Sequence, residues 1–217
     1  MTTTKKKLES IPTIDVSLVV VRVGDSSSST EYALDTANSV GVDVQTETVD
    51  AIKLVKLGKL LAQKPPTTTI TGHQITLTDN VFSPTLAKIL QGGTITGSGD
   101  SLTYEPPVAG SGAKGDVFEL DCYSAQYDAS GSIVRYEKIT YPNCQGTPFG
   151  VSSEDGTFRV PQYTINSAPK TGEAPYKISY VKSLPDFSDA TVEVHSDDTP
   201  VSVNDLQVDE TGMSIVD

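Results

Sequence analysis

Tryptophan is absent, and hydrophobic residues make up 36% of the 217 positions. That is below the roughly 45–50% apolar share of ordinary domains, a benchmark that also counts glycine. A chain of this length is long enough for one sizeable core, so the deficit predicts a core that is thin and layered. Cysteine is nearly missing: Cys122 and Cys144 are too few for a disulfide scaffold, their separation fits no zinc motif, and each reads as a small reduced core residue. Only two histidines occur, His73 and His195, and neither lies in a metal or triad arrangement. A long apolar run is also lacking. After Lys5, Lys6 and Lys7 the apolar stretch is interrupted by Pro12 and Asp15 before the short run Leu18 to Val21. That is neither a signal peptide nor a membrane span, so the product is expected to begin in a cytoplasm with no membrane partner.

Positive charge is in short supply as well. With 16 Lys and Arg against 28 Asp and Glu, the formal net charge is -12, which excludes a nucleic-acid reader that works by neutralising phosphates. An acidic surface keeps a chain soluble, and it also suits a protein that stays near nucleic acid without adhering to it. Most of the net negative charge lies after Lys182, the last Lys or Arg in the chain, because nine of the 28 acidic residues follow it with no Lys or Arg to balance them.

What is abundant is Thr, Ser and Val, the composition of pleated strands whose wet faces carry small hydroxyl side chains. The β-branched content of Ile14 to Val23 predicts a first strand. Gly24-Asp25 and the serines 26 to 29 then read as a flexible tip, within a loop extending to Asn38. Val40, Val42, Val44, Thr46 and Thr48 alternate with Gly41, Asp43, Gln45 and Glu47, the period-2 signature of a strand with one wet, acidic face. Ala51 to Ala62 fits a strand or a helix and is stopped by Lys64-Pro65-Pro66. Thr67 to Leu77 is a further threonine-rich strand.

One helix is predicted: Ser83 caps, Pro84 suits the first helical position, Leu86, Ile89 and Leu90 recur at helical spacing, and Gly92-Gly93 ends it. So short a helix must pack on something, and those three side chains are its expected packing face. Gly97 to Gly115 reads as a glycine-rich loop. Val117 to Tyr127 and Ile133 to Tyr141 form the clearest hairpin, around the turn signal Asp128-Ala129-Ser130-Gly131. Short runs at Thr157 to Ile165 and Tyr176 to Val181 complete a mainly β chain: a sandwich or barrel of short antiparallel strands with one short α-helix and long loops. The expected organisation is a polar arm over 1–10, a β-rich domain over 11–182, and an acidic extension over 183–217 that is either a small annex or unstructured.

No chemistry assembles from these residues. Gly110-Ser111-Gly112 with Ala113-Lys114-Gly115 lacks the spacing and the hydroxyl residue of a phosphate loop. Asp197-Asp198 with Asp205, Asp209 and Glu210 lacks the regular ligand spacing of a calcium loop. Glu154-Asp155 beside Gly156 reads as a turn, and His73 as a hydrogen-bonded structural residue. No catalytic residue, metal ligand or cofactor is therefore expected.

Two segments carry a resemblance. The stretch Thr69-Ile70-Thr71-Gly72-His73-Gln74-Ile75-Thr76-Leu77-Thr78-Asp79-Asn80-Val81-Phe82 with Leu86 to Gly93, and Val117 to Cys144 with the turn Tyr141-Pro142-Asn143-Cys144-Gln145-Gly146, resemble major tail (tail tube) proteins of phages and prophages of Gram-positive bacteria. The likeness spans about residues 14 to 182 and includes no diagnostic catalytic motif. It implies a structural virion protein, not an enzyme, that self-assembles into stacked hexameric rings through which DNA passes during genome ejection. It also implies partners of the initiator, tape-measure and terminator kinds, and bridges between rings. Met1 to Leu8, the Gly24 to Asn38 loop and the Gly97 to Gly115 loop are the expected bridges, and Asp43 and Glu47 the expected acidic residues of the lumen. A β-sandwich adhesion or carbohydrate-binding module is the alternative, with Tyr104, Tyr123, Tyr127, Tyr136, Tyr141, Tyr163, Tyr176 and Tyr180 as its stacking surfaces.

Overall fold

A computed structural model describes residues 11–25 and 28–190. The N-terminal arm, His195 and the acidic extension from 191 onward lie outside them. The chain is mainly β, with antiparallel pairing throughout and one short α-helix. One large sheet runs in the order β2 (Ser28–Leu34), β1 (Thr13–Asp25), β9 (Phe118–Tyr127), β10 (Ile133–Gly146), β11 (Gln162–Ser167), β6 (Thr67–Asp79), β3 (Ala37–Val49), with β12 (Lys177–Val181) pairing alongside β10. Two short ladders stand apart from it, β4 (Ile52–Lys56) with β5 (Lys59–Lys64) and β7 (Thr94–Thr96) with β8 (Thr103–Glu105). The large sheet curls until β3 comes against β1, giving a barrel-like enclosure, as expected of a chain that must wrap a thin core.

Alternation along the central strands supplies the inside. Val19 and Val21, Leu120 and Cys122, Tyr141 and Cys144, Tyr163 and Ile165, and Ile75 and Leu77 meet in one buried cluster. Cys122 and Cys144 are both free and buried, and burial pushes each thiol up to about 12. They are inert at neutral pH.

The helix α1 (Pro84–Gln91) packs its apolar face into the core of the barrel. Ser83 caps it by accepting from the Leu86 N–H at 3.3 Å, and Pro84 occupies the first turn. Leu86, Ile89 and Leu90 enter the main cluster, with Leu90 fully buried. Gly146 is required at the contact, because a Cβ there would collide with the Leu90 carbonyl oxygen and lie 2.6 Å from the Leu90 Cβ. The C-terminal end is held from outside the helix. Tyr104 donates its hydroxyl to the Gly92 carbonyl at 2.7 Å, and the Asp116 N–H donates to the Ile89 carbonyl at 2.8 Å.

Several segments differ from the sequence-based reading. Gly24 to Asn38 is not a loop, since Ser28–Leu34 pairs with β1 from Asp25↔Ser28 to Val19↔Leu34. Leu34 is buried and Tyr32 packs on the core, so the strand has an inward face that the run of serines conceals. Tyr141 to Gly146 is not a turn either. It continues β10 through an irregularity between Tyr141 and Cys144, with Asn143 at φ 51, after which the strand leaves β12 and pairs with β11. Gly97 to Gly115 contains a 3-10 turn at Gly99–Ser101 and the strand β8. The strand expected from Thr157 begins only at Gln162. On the outer face of the sheet, Val181, Leu184 and Phe187 cover Leu18, Val20 and Tyr123, so packed structure continues past Lys182.

Candidate assembly surface

The valine alternation of β3 predicts one dry face, and the tertiary structure removes it. Val40 still packs against the core, but Val42 and Val44 are 38% and 56% exposed, and every residue from Gly41 to Val49 is open to solvent. The reason is length. β3 and β6 pair from Ala37↔Asp79 out to Val49↔Thr67, whereas β6 is buried only from Gly72 onward. The outer half of this pair leaves the barrel as a two-stranded ribbon.

The ladder stops at Asp50-Ala51, opposite Pro65-Pro66. Proline has no N–H to donate, and two in succession interrupt the pairing. Beyond the break the ribbon resumes as β4 and β5, which is how the segment Ala51 to Ala62 resolves between strand and helix. Leu57 (φ 50) and Gly58 (φ 75) join the two strands with positive φ at both turn positions, the geometry of a tight hairpin turn. Asn or Gly is favoured at the first of these positions, and a leucine held there costs about 1–2 kcal/mol. That leucine is 94% exposed.

The ribbon therefore displays apolar side chains with no core beneath them: Val44, Ile52, Leu54, Leu57, Leu60 and Leu61 are each more than half exposed. A solitary domain does not usually present such a strip. Its charges are separated along its length. Asp43, Glu47 and Asp50 lie on the stem next to the barrel; Lys53, Lys56, Lys59 and Lys64 lie on the tip; and no acid intervenes between Asp50 and Asp79. Lys56 and Lys59 face each other directly across the hairpin, an arrangement of like charges that is unfavourable in isolation. None of the four lysines joins an ion pair among the described residues.

No family model and no curated protein matches this chain. Its functional reading therefore rests on the ribbon and on the remaining polar groups.

The strongest electrostatic cluster lies on the outer face of the sheet. Asp121 is fully buried and accepts from Arg22 Nη2 at 2.9 Å, Lys138 Nζ at 2.8 Å and the Thr140 hydroxyl. Arg22 also pairs with Glu31 at 2.7 Å and with Glu119. Burial works against the Arg22 charge, but its hydrogen bond to Glu31 and the Asp121 and Glu119 carboxylates outweigh it and raise the pKa. Lys138 is raised on balance too, with the Asp121 hydrogen bond and charge overcoming desolvation. These contacts tie β1, β2, β9 and β10 together. Every charge in the cluster has a partner, which makes it a clamp. Among the described residues no three His, Cys, Asp or Glu side chains come together as a metal site, and no helix is long and apolar enough to cross a membrane.

His73 lies where the ribbon meets the barrel. It is buried edge-on between the rings of Tyr141 and Tyr176, each centred 5.4 Å away, and its Nδ1 has no hydrogen-bond partner among the described residues. The hydrogen-bonded role expected from sequence is thus replaced, at Nδ1, by aromatic packing. Burial lowers its pKa, so the native state holds a neutral ring while the unfolded chain titrates near ~6.5. Between those two values the unfolded state binds the extra proton, and stability falls as pH drops through that window. His73→Phe should flatten the dependence of the urea midpoint on pH between about 7 and about 5. An unchanged slope would show that His73 does not sense pH.

Proposed function

We propose that this protein is a self-assembling structural subunit of the tail-tube type. It would form stacked, six-fold rings that conduct DNA in a phage tail, and assemble in the host cytoplasm with initiator, tape-measure and terminator proteins. The observation that carries this reading is the β3–β6 ribbon with its β4–β5 tip: a long extension outside the core, carrying exposed leucine, valine and lysine side chains that only another surface can cover. Of the bridging elements expected from sequence, Gly24 to Asn38 is largely committed to β2 inside the subunit. The ribbon replaces it as the bridge.

The carbohydrate-binding alternative is weakened by where its tyrosines lie. Tyr123, Tyr141 and Tyr163 are buried, and the Arg135 guanidinium stacks at 4.0 Å on one face of the half-exposed Tyr180 ring.

Negative-stain electron microscopy and sedimentation of the full chain test the proposal. A second variant, in which an Asn-Gly turn replaces residues 50–66, joins the paired residues Val49 and Thr67. Rings or tubes are expected from the full chain. The shortened chain should remain monomeric with an unchanged melting temperature, since the ribbon adds nothing to the core. A full chain that stays monomeric at every concentration, even with a tail-initiation complex supplied, would overturn the proposal.

A further inference from the structure

The ribbon is electrostatically two-ended, and we infer that the lysine tip of one copy docks on the acidic stem of a neighbouring copy. This rests on the self-assembly reading above and adds to it a direction and a partner surface.

Three observations carry it. The first is charge complementarity: the tip presents Lys53, Lys56, Lys59 and Lys64 without an acid among them, and the stem presents Asp43, Glu47 and Asp50 without a base. All seven side chains are exposed. The second is dimension. At about 3.3 Å per residue, the stem from Asp43 to Asp50 and the tip from Ile52 to Leu57 are each on the order of 20 Å long. The third is the state of the strand edge. β3 ends the large sheet, so among the described residues its outer edge has no paired neighbour. Acidic side chains on such an edge repel a second copy of the same edge, a common protection against unwanted pairing, yet they attract a ribbon bearing lysines. Val42, Val44 and Ile70 are exposed on the opposite face of the stem from Asp43 and Glu47, so the acidic face alone is assigned to the tip.

The tip cannot reach the stem of its own copy, because the two are successive lengths of one ribbon. The contact joins two different patches, and such heterologous interfaces close into rings or run on as open stacks. On this geometry Asp43 and Glu47 face a neighbouring subunit and do not line the bore.

Charge reversal on each side tests the pairing in the full chain. The tip variant carries Lys53→Glu, Lys56→Glu and Lys59→Glu; the stem variant carries Asp43→Lys, Glu47→Lys and Asp50→Lys. Circular dichroism and thermal melts of both should match wild type. Each variant alone should require about tenfold or more higher concentration to assemble in sedimentation velocity. An equimolar mixture of the two, or one chain carrying all six changes, should assemble within about threefold of wild type, because attraction is restored at every contact.

If wild type assembles and the single-sided variants do so equally well, the tip-to-stem contact is wrong while the self-assembly reading stands. If wild type never assembles, both fail. Phosphatidylglycerol vesicles and duplex DNA serve as rival anionic surfaces. Retention of wild type by either, lost in the tip variant while self-assembly is untouched, would also overturn the inference.

Discussion

Leu90→Asp is expected to leave no folded subunit at 25 °C. Leu90 is fully buried, contributes to the main cluster and sits flush on Gly146, so no path exists for a carboxylate to reach water without lifting the helix. Losing the leucine alone costs about 2–5 kcal/mol, and burying an unpaired carboxylate adds several more. Against a total stability of about 5–15 kcal/mol, the sum removes most or all of the folded population. Loss of the cooperative unfolding transition, with aggregation on expression, is the expected readout. A soluble Leu90→Asp protein with a normal melting curve would mean that α1 is dispensable to the core.

Asp121→Ala is expected to cost about 3–5 kcal/mol, because it removes the buried carboxylate that Arg22 and Lys138 share and leaves the half-buried Lys138 ammonium stranded. Arg22 keeps Glu31 and Glu119, whereas the Lys138 ammonium loses the Asp121 carboxylate that holds it. Urea denaturation should show a large drop in midpoint for Asp121→Ala. Adding Lys138→Met to it should recover part of the loss, since the stranded charge is then gone. Equal midpoints for wild type and Asp121→Ala would show that the cluster is a bystander to stability. Because Asp121 is paired with Val20, which packs against Val181, Leu184 and Phe187, the same variant should also loosen the segment after β12. Faster amide exchange in residues 181–187 would report that.

Neither of those sites is equally visible in the sequence. The helix was legible because everything that defines it is local. Ser83, Pro84 and the apolar spacing of Leu86, Ile89 and Leu90 fix its start and its inward face within a few residues. The Asp128 turn was legible for the same reason: its carboxylate accepts from the Ser130 and Ser132 N–H groups immediately following it. Asp121 was not, because its cation Arg22 is separated from it by 99 positions and becomes its neighbour only through the pairing of β1 with β9.

The ribbon marks the limit most clearly. Alternation in Val40, Val42 and Val44 establishes a strand and assigns these side chains to one face, because successive residues of any strand point to opposite sides. It carries no information on whether another layer lies against that face. The amino-acid sequence by itself determined a mainly β chain, its one helix, its central hairpin and its surplus of acid, all of which follow from local periodicity and composition. Only the tertiary structure decided that the core ends near Val42 while β3 and β6 continue, that Leu34 turns a serine-rich segment into a paired strand, and that acids and lysines are sorted to opposite ends of one exposed arm. Burial depends on what the rest of the chain brings to a residue, and that is a property of the whole fold.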